Sequence, residues 1–252
     1  MTQSLPQILK KPPLREVYFE LRFAPTKPTV GDLLPGLLYS TMQKDYSEVL
    51  PLTLANVPRQ FREQNPDLFY QASHRLSSGP HSVHVGDRMV NLHTIEYPGW
   101  SRFKDKAKVL IDALQKTGLV KQIERFSFKY VNLIEVSESE SQLPLLNIRV
   151  EIIGKPPIEK GFLLRTEIHK EKYITIIQVA TNAIATHLIS TKEPSKQLSG
   201  LMVDVDTISV GVGNEFWVNR DSLLDEGHMV VKQTFFSLLT KTALEGMEPK
   251  YS

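Results

Sequence analysis

The 252-residue chain contains no cysteine. Disulfides, thiolate metal ligands and cysteine nucleophiles are therefore excluded together. No apolar run approaches the roughly 18 residues that a membrane helix needs. The first residues, Met1 to Val17, place no basic segment ahead of an uninterrupted apolar stretch, so they do not read as a secretory signal. A cytoplasmic protein with no membrane contact is expected. Charge excess is also slight: 30 Lys and Arg stand against 28 Asp and Glu, a net +2. Non-specific nucleic-acid affinity needs many cations acting together, so overall charge makes no case for it. Several signatures are missing. Without GxxxxGK[ST] there is no Walker-type NTP hydrolysis, without GxSxG no nucleophile elbow, and without HExxH no zincin-type metal site.

What is present describes a folded chain. Apolar residues make up 41% and charged residues 23%, enough to bury a core without staples. Residues 1–14 read as a flexible arm, because Pro6, Pro12 and Pro13 interrupt pairing. Beyond Arg15, Val17, Phe19, Leu21 and Phe23 alternate with Tyr18, Glu20 and Arg22, the mark of a strand with one buried face. A helix is predicted from Asp32 as N-cap, with Leu33, Leu34, Leu37, Leu38 and Met42 at helical spacing and Pro35 in the first turn. Residues 51–66 read as a short strand plus an irregular connection. Strands follow at 68–76 and 82–95, with Gly79-Pro80 between them and Gly86-Asp87 dividing the second. An amphipathic helix runs from Trp100 to about Lys116, with Gly118 at its C-terminal cap. In the strand at 123–136, Phe126, Phe128, Tyr130 and Asn132 alternate with Arg125, Ser127 and Lys129.

Residues 137–142, SESESQ, break the composition and read as an exposed loop. The expected division is thus an arm (1–14), an N-terminal α+β unit (15–136), a linker (137–144) and a β-rich C-terminal unit (145–252) ending in a long helix. Within the last, strands are predicted at 145–153, 161–170, 172–187 and 200–212, with Glu171-Lys172 turning a hairpin. The final helix is predicted over about 222–246, with Leu224, His228, Val231, Phe235, Leu238 and Leu239 on one face. Short strand connections favour an α+β fold of predominantly antiparallel sheets covered by a few long helices. Each half offers several strands and a long helix, an organisation that suits two similar units, although no residue-level repeat is visible.

Candidate chemistry is sparse. His74, His81, His84 and His93 fall in one hairpin region, but His81 and His84 point to opposite faces of a strand, and no carboxylate stands at zinc-like spacing. Asp204 and Asp206 share a strand face, where they would serve as a magnesium or acid/base pair or as a polar strand surface. Gly211-Val-Gly213 lacks the helix and third glycine of a dinucleotide fingerprint. Arg165, Glu167 and His169 read as a solvated ladder. His228, on an apolar stripe, reads as a hydrogen-bonded, half-buried histidine. Tyr18, Arg22, Arg125, Lys129, Tyr130 and Arg165 are the candidate surface for a partner or a single-stranded nucleic acid, since aromatic rings interleaved with strand cations suit RNA.

Four segments carry a resemblance: Pro12-Pro13-Leu14-Arg15-Glu16-Val17-Tyr18-Phe19-Glu20-Leu21-Arg22-Phe23, Asp87-Arg88-Met89-Val90-Asn91-Leu92, Tyr97-Pro98-Gly99-Trp100, and Glu124-Arg125-Phe126-Ser127-Phe128-Lys129-Tyr130-Val131-Asn132. In order and spacing the chain resembles a sporadically distributed, functionally uncharacterised prokaryotic family of similar length, with Lys129-Tyr130-Val131-Asn132 where that family has Arg-Tyr-Ile-Asn. The resemblance implies a prokaryotic protein and brings no catalytic residues. Its patchy distribution suits an accessory gene of a defence or mobile-element system.

With no nucleophile–base pair, metal set or phosphate cradle in view, the expectation is a non-enzymatic protein-interaction or regulatory protein that carries no cofactor and partners another protein. The alternatives are an RNA or single-strand binding module, and a small-ligand or metal enzyme using His81, His84 or Asp204. The expectation rests on ionisable groups being scattered by the fold and not gathered in one cleft.

Overall fold

The computed structural model describes residues 5–137, 141–157, 160–187 and 196–251. In chain order the elements are β1 (Ile8–Leu9), β2 (Leu14–Pro25), α1 (Val30–Met42), β3 (Glu48–Pro51), α2 (Arg59–Gln64), β4 (Ala72–Ser78), β5 (His81–Gly86), β6 (Met89–Thr94), α3 (Trp100–Lys116), β7 (Val120–Glu135), β8 (Leu163–Lys170), β9 (Tyr173–His187), β10 (Lys196–Ser209), α4 (Glu215–Leu238), α5 (Lys241–Gly246) and β11 (Pro249–Lys250). Nine strands form one sheet in the order β3-β4-β5-β6-β2-β7-β10-β9-β8. Every neighbouring pair is antiparallel. The class is α+β, with long helices covering an antiparallel sheet.

Alternation decides which side chains meet those helices. Val17, Phe19 and Leu21 on β2 stand opposite Tyr130, Phe128 and Phe126 on β7. All six are buried, with α3 and α4 over them. Glycine at 227 lets α4 press directly on the sheet: a Cβ there would sit 2.9 Å from Phe126 and 3.1 Å from Phe128. The other face of the sheet carries the intervening polar residues and no helix, so most of its side chains look outward.

The topology repeats. From the centre outwards the first half runs β2-β6-β5-β4 and the second β7-β10-β9-β8. In each, the first strand lies beside the last, and a helix follows, α3 or α4. The repeat divides the chain between α3 and β7, not at 137–144, because β7 pairs with both β2 and β10. Within the supposed linker Gln142 is buried, its Oε1 accepting from the Asn182 amide at 2.9 Å. Residues 138–140 lie outside the described residues.

Four expectations need correction. The arm is pinned from Gln7 onwards: β1 pairs with β11, and Lys10 and Lys11 both bridge to Glu248 (3.2 and 2.8 Å). No strand forms over 145–153. Residues 145–147 direct their backbone hydrogen bonds to the α4–α5 turn, Asn147 N–H to Leu238 at 2.7 Å and Thr240 N–H to Leu145 at 2.9 Å. The last helix opens at Glu215, about seven residues early, and breaks at Leu239 before α5. Asp32 is not a cap but lies in the first turn of α1, where it receives Arg62 at 2.8 Å. Pro35 falls one turn later than predicted. Gly118, with φ +65°, does cap α3 as expected.

Two glycines test the packing. Gly227→Ala overpacks the α4–sheet contact and should destabilise by about 1–3 kcal/mol. Gly36→Ala, in an exposed turn of α1 with open space around the new methyl, should stabilise by about 0.5–1 kcal/mol. Urea midpoints that move the same way in both variants would refute this account of α4.

Candidate functional site

Five of the six side chains proposed for a binding surface share the uncovered face of the sheet: Tyr18 and Arg22 on β2, Arg125 and Lys129 on β7, and Arg165 on β8. Tyr130 does not. Successive strand residues point to opposite sides, so Tyr130 follows Lys129 onto the helix-covered face and is buried. The four cations among them are already matched. Arg22 and Arg125 both reach Glu20, at 2.7 and 3.3 Å. Lys129 reaches Asp204 at 2.7 Å, and Arg165 reaches Glu167 at 3.0 Å. Tyr18 hydrogen-bonds Glu16 and stacks on His93, ring centroids 4.4 Å apart. A phosphate backbone would have to displace these carboxylates.

Asp204 and Asp206 lie on this same face, at β10. Burial raises Asp206 to about 6, with Lys129 opposing the shift and Asp204 adding to it. His84, stacked near His93, is pushed down to about 4, mainly by burial and then by the charge of His93. His81 is on the opposite face, as expected. Among the described residues no group of three or more His, Asp or Glu is placed to hold a metal ion. Gly211-Val-Gly213 does lead directly into α4, but Glu215 in its first turn is acidic where a phosphate site needs the opposite.

The helix side gathers what the sequence reading left scattered. A hollow of about 320 Å³ lies where β7, the start of α3, the middle of α4 and the pinned arm meet. β7 brings Tyr130 and Asn132. The Tyr97-Pro98-Gly99 turn brings Tyr97 and aims Trp100 inward. Gly99 at φ +90° adopts backbone that only glycine takes freely. Helical spacing puts His228, Lys232 and Phe235 on one face of α4. Ile8, Leu9 and Pro12-Pro13-Leu14 of the arm close the space from outside.

A hydrogen-bonded chain runs through its wall. Tyr130 Oη lies 2.8 Å from His228 Nδ1, and Tyr97 Oη lies 3.3 Å from Tyr130 Oη. The Trp100 indole stacks on the His228 imidazole, centroids 4.0 Å apart and planes within 6°. Its Nε1–H donates to Asp225 at 2.9 Å, and Lys104 holds the same carboxylate at 2.7 Å. Burial, then the Lys232 charge, pushes His228 down to about 4. Burial raises Tyr97 to about 12 and pushes Tyr130 well above the ordinary phenol value. Desolvation lowers Lys232. With His228 neutral, the tautomer of the imidazole sets which way the Tyr97–Tyr130–His228 hydrogen bonds run.

Four titratable groups thus share one hollow, and the expectation that none would do so is corrected. The reading of His228 as a hydrogen-bonded core histidine describes its bonds but not its company. Tyr97, Trp100 and Lys232 escaped the sequence reading as site residues. The clue was there: Pro12, Leu14, Tyr97, Trp100, Tyr130 and Asn132, from three of the four segments quoted above for the resemblance, line this hollow. The remaining motif goes elsewhere. Asp87 takes Arg62 at 2.9 Å in a buried pair that holds α2 against the start of α1. A larger cleft, about 630 Å³, opens on the far side of Pro12-Pro13. Its Arg15 is taken by Glu135 at 2.6 Å.

Compared with known proteins, the chain matches no family model, and no curated protein matches it. No helix among the described residues is long and apolar enough to cross a membrane.

His228 and Asp206 pull stability in opposite directions with pH. The depressed His228 contributes fully above its ordinary 6.5 and loses that contribution as pH falls towards 4, an effect of up to about 3 kcal/mol. Asp206, raised from 3.8 to about 6, contributes most below 3.8 and loses it as pH rises through 6. Between pH 6.5 and 4.5, His228→Gln should therefore lose less stability than the unmodified chain, and Asp206→Asn more. Urea midpoints at the two pH values check this, and parallel losses in all three proteins would contradict it.

Proposed function

We propose that this protein works by binding and not by turnover, as a regulatory or accessory protein whose recognition site is the hollow beneath the arm. The observation that carries the reading is the convergence of four separate chain segments on that one space. Aromatic walls with a few convergent polar groups are what small-molecule sites are made of, and the volume falls near the small end of the usual ~300–1,000 Å³.

The protonation states favour recognition over catalysis. A general acid or base works best with a pKa near the working pH. Here burial lowers the imidazole to about 4, raises Tyr97 to about 12 and holds Tyr130 well above the ordinary phenol value, so at neutral pH the His228–Tyr130–Tyr97 chain stays neutral. Among the described residues no serine or threonine lines the hollow beside the imidazole. The paired cations of the open face weigh against the nucleic-acid alternative for the same region. The family resemblance, which brings no catalytic residues, agrees with a non-enzymatic role.

The two tryptophans provide the test. Trp100 lines the hollow and Trp217 does not. Small aromatic and aliphatic acids, amides and alcohols should shift the Trp100 indole N–H resonance and leave that of Trp217 in place, with a Trp217→Phe variant assigning the two signals. No shift at Trp100 across the set would remove the hollow as the site. Chemical conversion of a fragment, lost in His228→Gln, would replace binding with catalysis.

A further inference from the structure

The charge inventory of the hollow is lopsided. Among the described residues, Lys232 is the one formally charged side chain in its lining, and no carboxylate joins it there. The nearby carboxylate on the same helix, Asp225, is mostly exposed and already holds the Trp100 indole N–H and Lys104. Lys232 itself makes no ion pair or hydrogen bond among the described residues, although it is half-buried. One turn earlier on the same face stands His228, its Nδ1 committed to Tyr130 at 2.8 Å. Apolar walls flank Lys232: Ile8, Leu9 and Leu14 from the arm, Phe235 and Phe236 further along α4.

We propose that the hollow takes a small organic carboxylate with an aromatic or branched aliphatic body, its anionic head on Lys232 and its body against the arm. The inference rests on the hollow being the recognition site, and it adds the chemical class. A desolvated ammonium without a partner is costly, and a carboxylate recovers that cost through a charge-assisted hydrogen bond. A cationic ligand would meet like charge with no counter-ion in reach. A neutral one would leave Lys232 unpaired and drier than before.

3-Phenylpropanoate and 3-phenylpropanamide match in shape and differ in charge, so titrating both calorimetrically, with the Trp100 resonance as the locator, separates the possibilities. The acid should bind about ten-fold or more tightly than the amide. Lys232→Met should remove that preference by weakening the acid at least as much as the amide gains, while Lys232→Arg keeps the acid within a few-fold. Lys232→Met removes an unpaired charge, so loss of folding is not expected, and a thermal melt confirms it. Equal binding of acid and amide in the unmodified chain overturns the carboxylate assignment and leaves the hollow as a neutral site. Acid preference that survives in Lys232→Met overturns the role of Lys232. Failure of both probes to shift Trp100 overturns the hollow as the site, and this assignment with it.

Discussion

The pairing of β2 with β7 holds the molecule together at its middle. Phe19 faces Phe128 across that ladder with ring centroids 5.1 Å apart, and the buried pairs above and below continue the seam. Outward from it each half adds its last strand, then the two before it, and sends a helix back over the seam. Because a strand residue has only two directions to choose from, the same ladder sorts the chemistry. Charged side chains of β2 and β7 go to the open face with Tyr18, and the phenylalanines, Tyr130 and Asn132 go under the helices. The hollow exists because α3 and α4, the closing helices of the two halves, meet above this seam and leave a gap at Trp100 and His228 that the arm roofs over.

The two faces handle buried polarity differently. On the open face the cost of removing charge from water is offset by opposite charge, as with Lys129 and Asp204, although one oxygen of Asp204 and one of Asp206 are buried without a protein partner. Under the helices the groups avoid charge altogether. Two phenols and an imidazole hand a hydrogen bond along in one direction, and the indole lies flat on the last of them. Such a chain is rigid because each member has a single satisfied role. Lys232 breaks the pattern, being the one cation of that region to which the fold supplies no partner.

Much of this was legible from residue pattern. The alternation of Val17 to Phe23, the stripe from Trp100 to Leu114, the Gly118 cap and the Gly86-Asp87 turn all depend on local periodicity and backbone preference, which a short window contains. The start of α4 was not, because Phe216-Trp217-Val218 is as apolar as a strand and no strong cap precedes it. The arm was misread since proline content predicts poor pairing but says nothing of a partner about 240 residues away. Tyr130 was assigned to the wrong face although the alternation of its own strand with Lys129 forbade it. The hollow itself was beyond a one-dimensional reading: its walls come from four stretches whose proximity depends on strand order, and strand order is not written in any one of them.

The β1–β11 contact joins Ile8 to Lys250. Closing so long a loop is entropically slow compared with forming hairpins such as β8–β9. During synthesis, moreover, the later partner is among the last of these residues to leave the ribosome. The sheet and its helices can assemble first, with the aromatic gap still unroofed. A molecule present in the cell at that stage would meet the gap open, and would be enclosed when the two distant segments zip together. Occupancy acquired at birth would then exchange only as fast as that short ladder of two residues on each side comes undone.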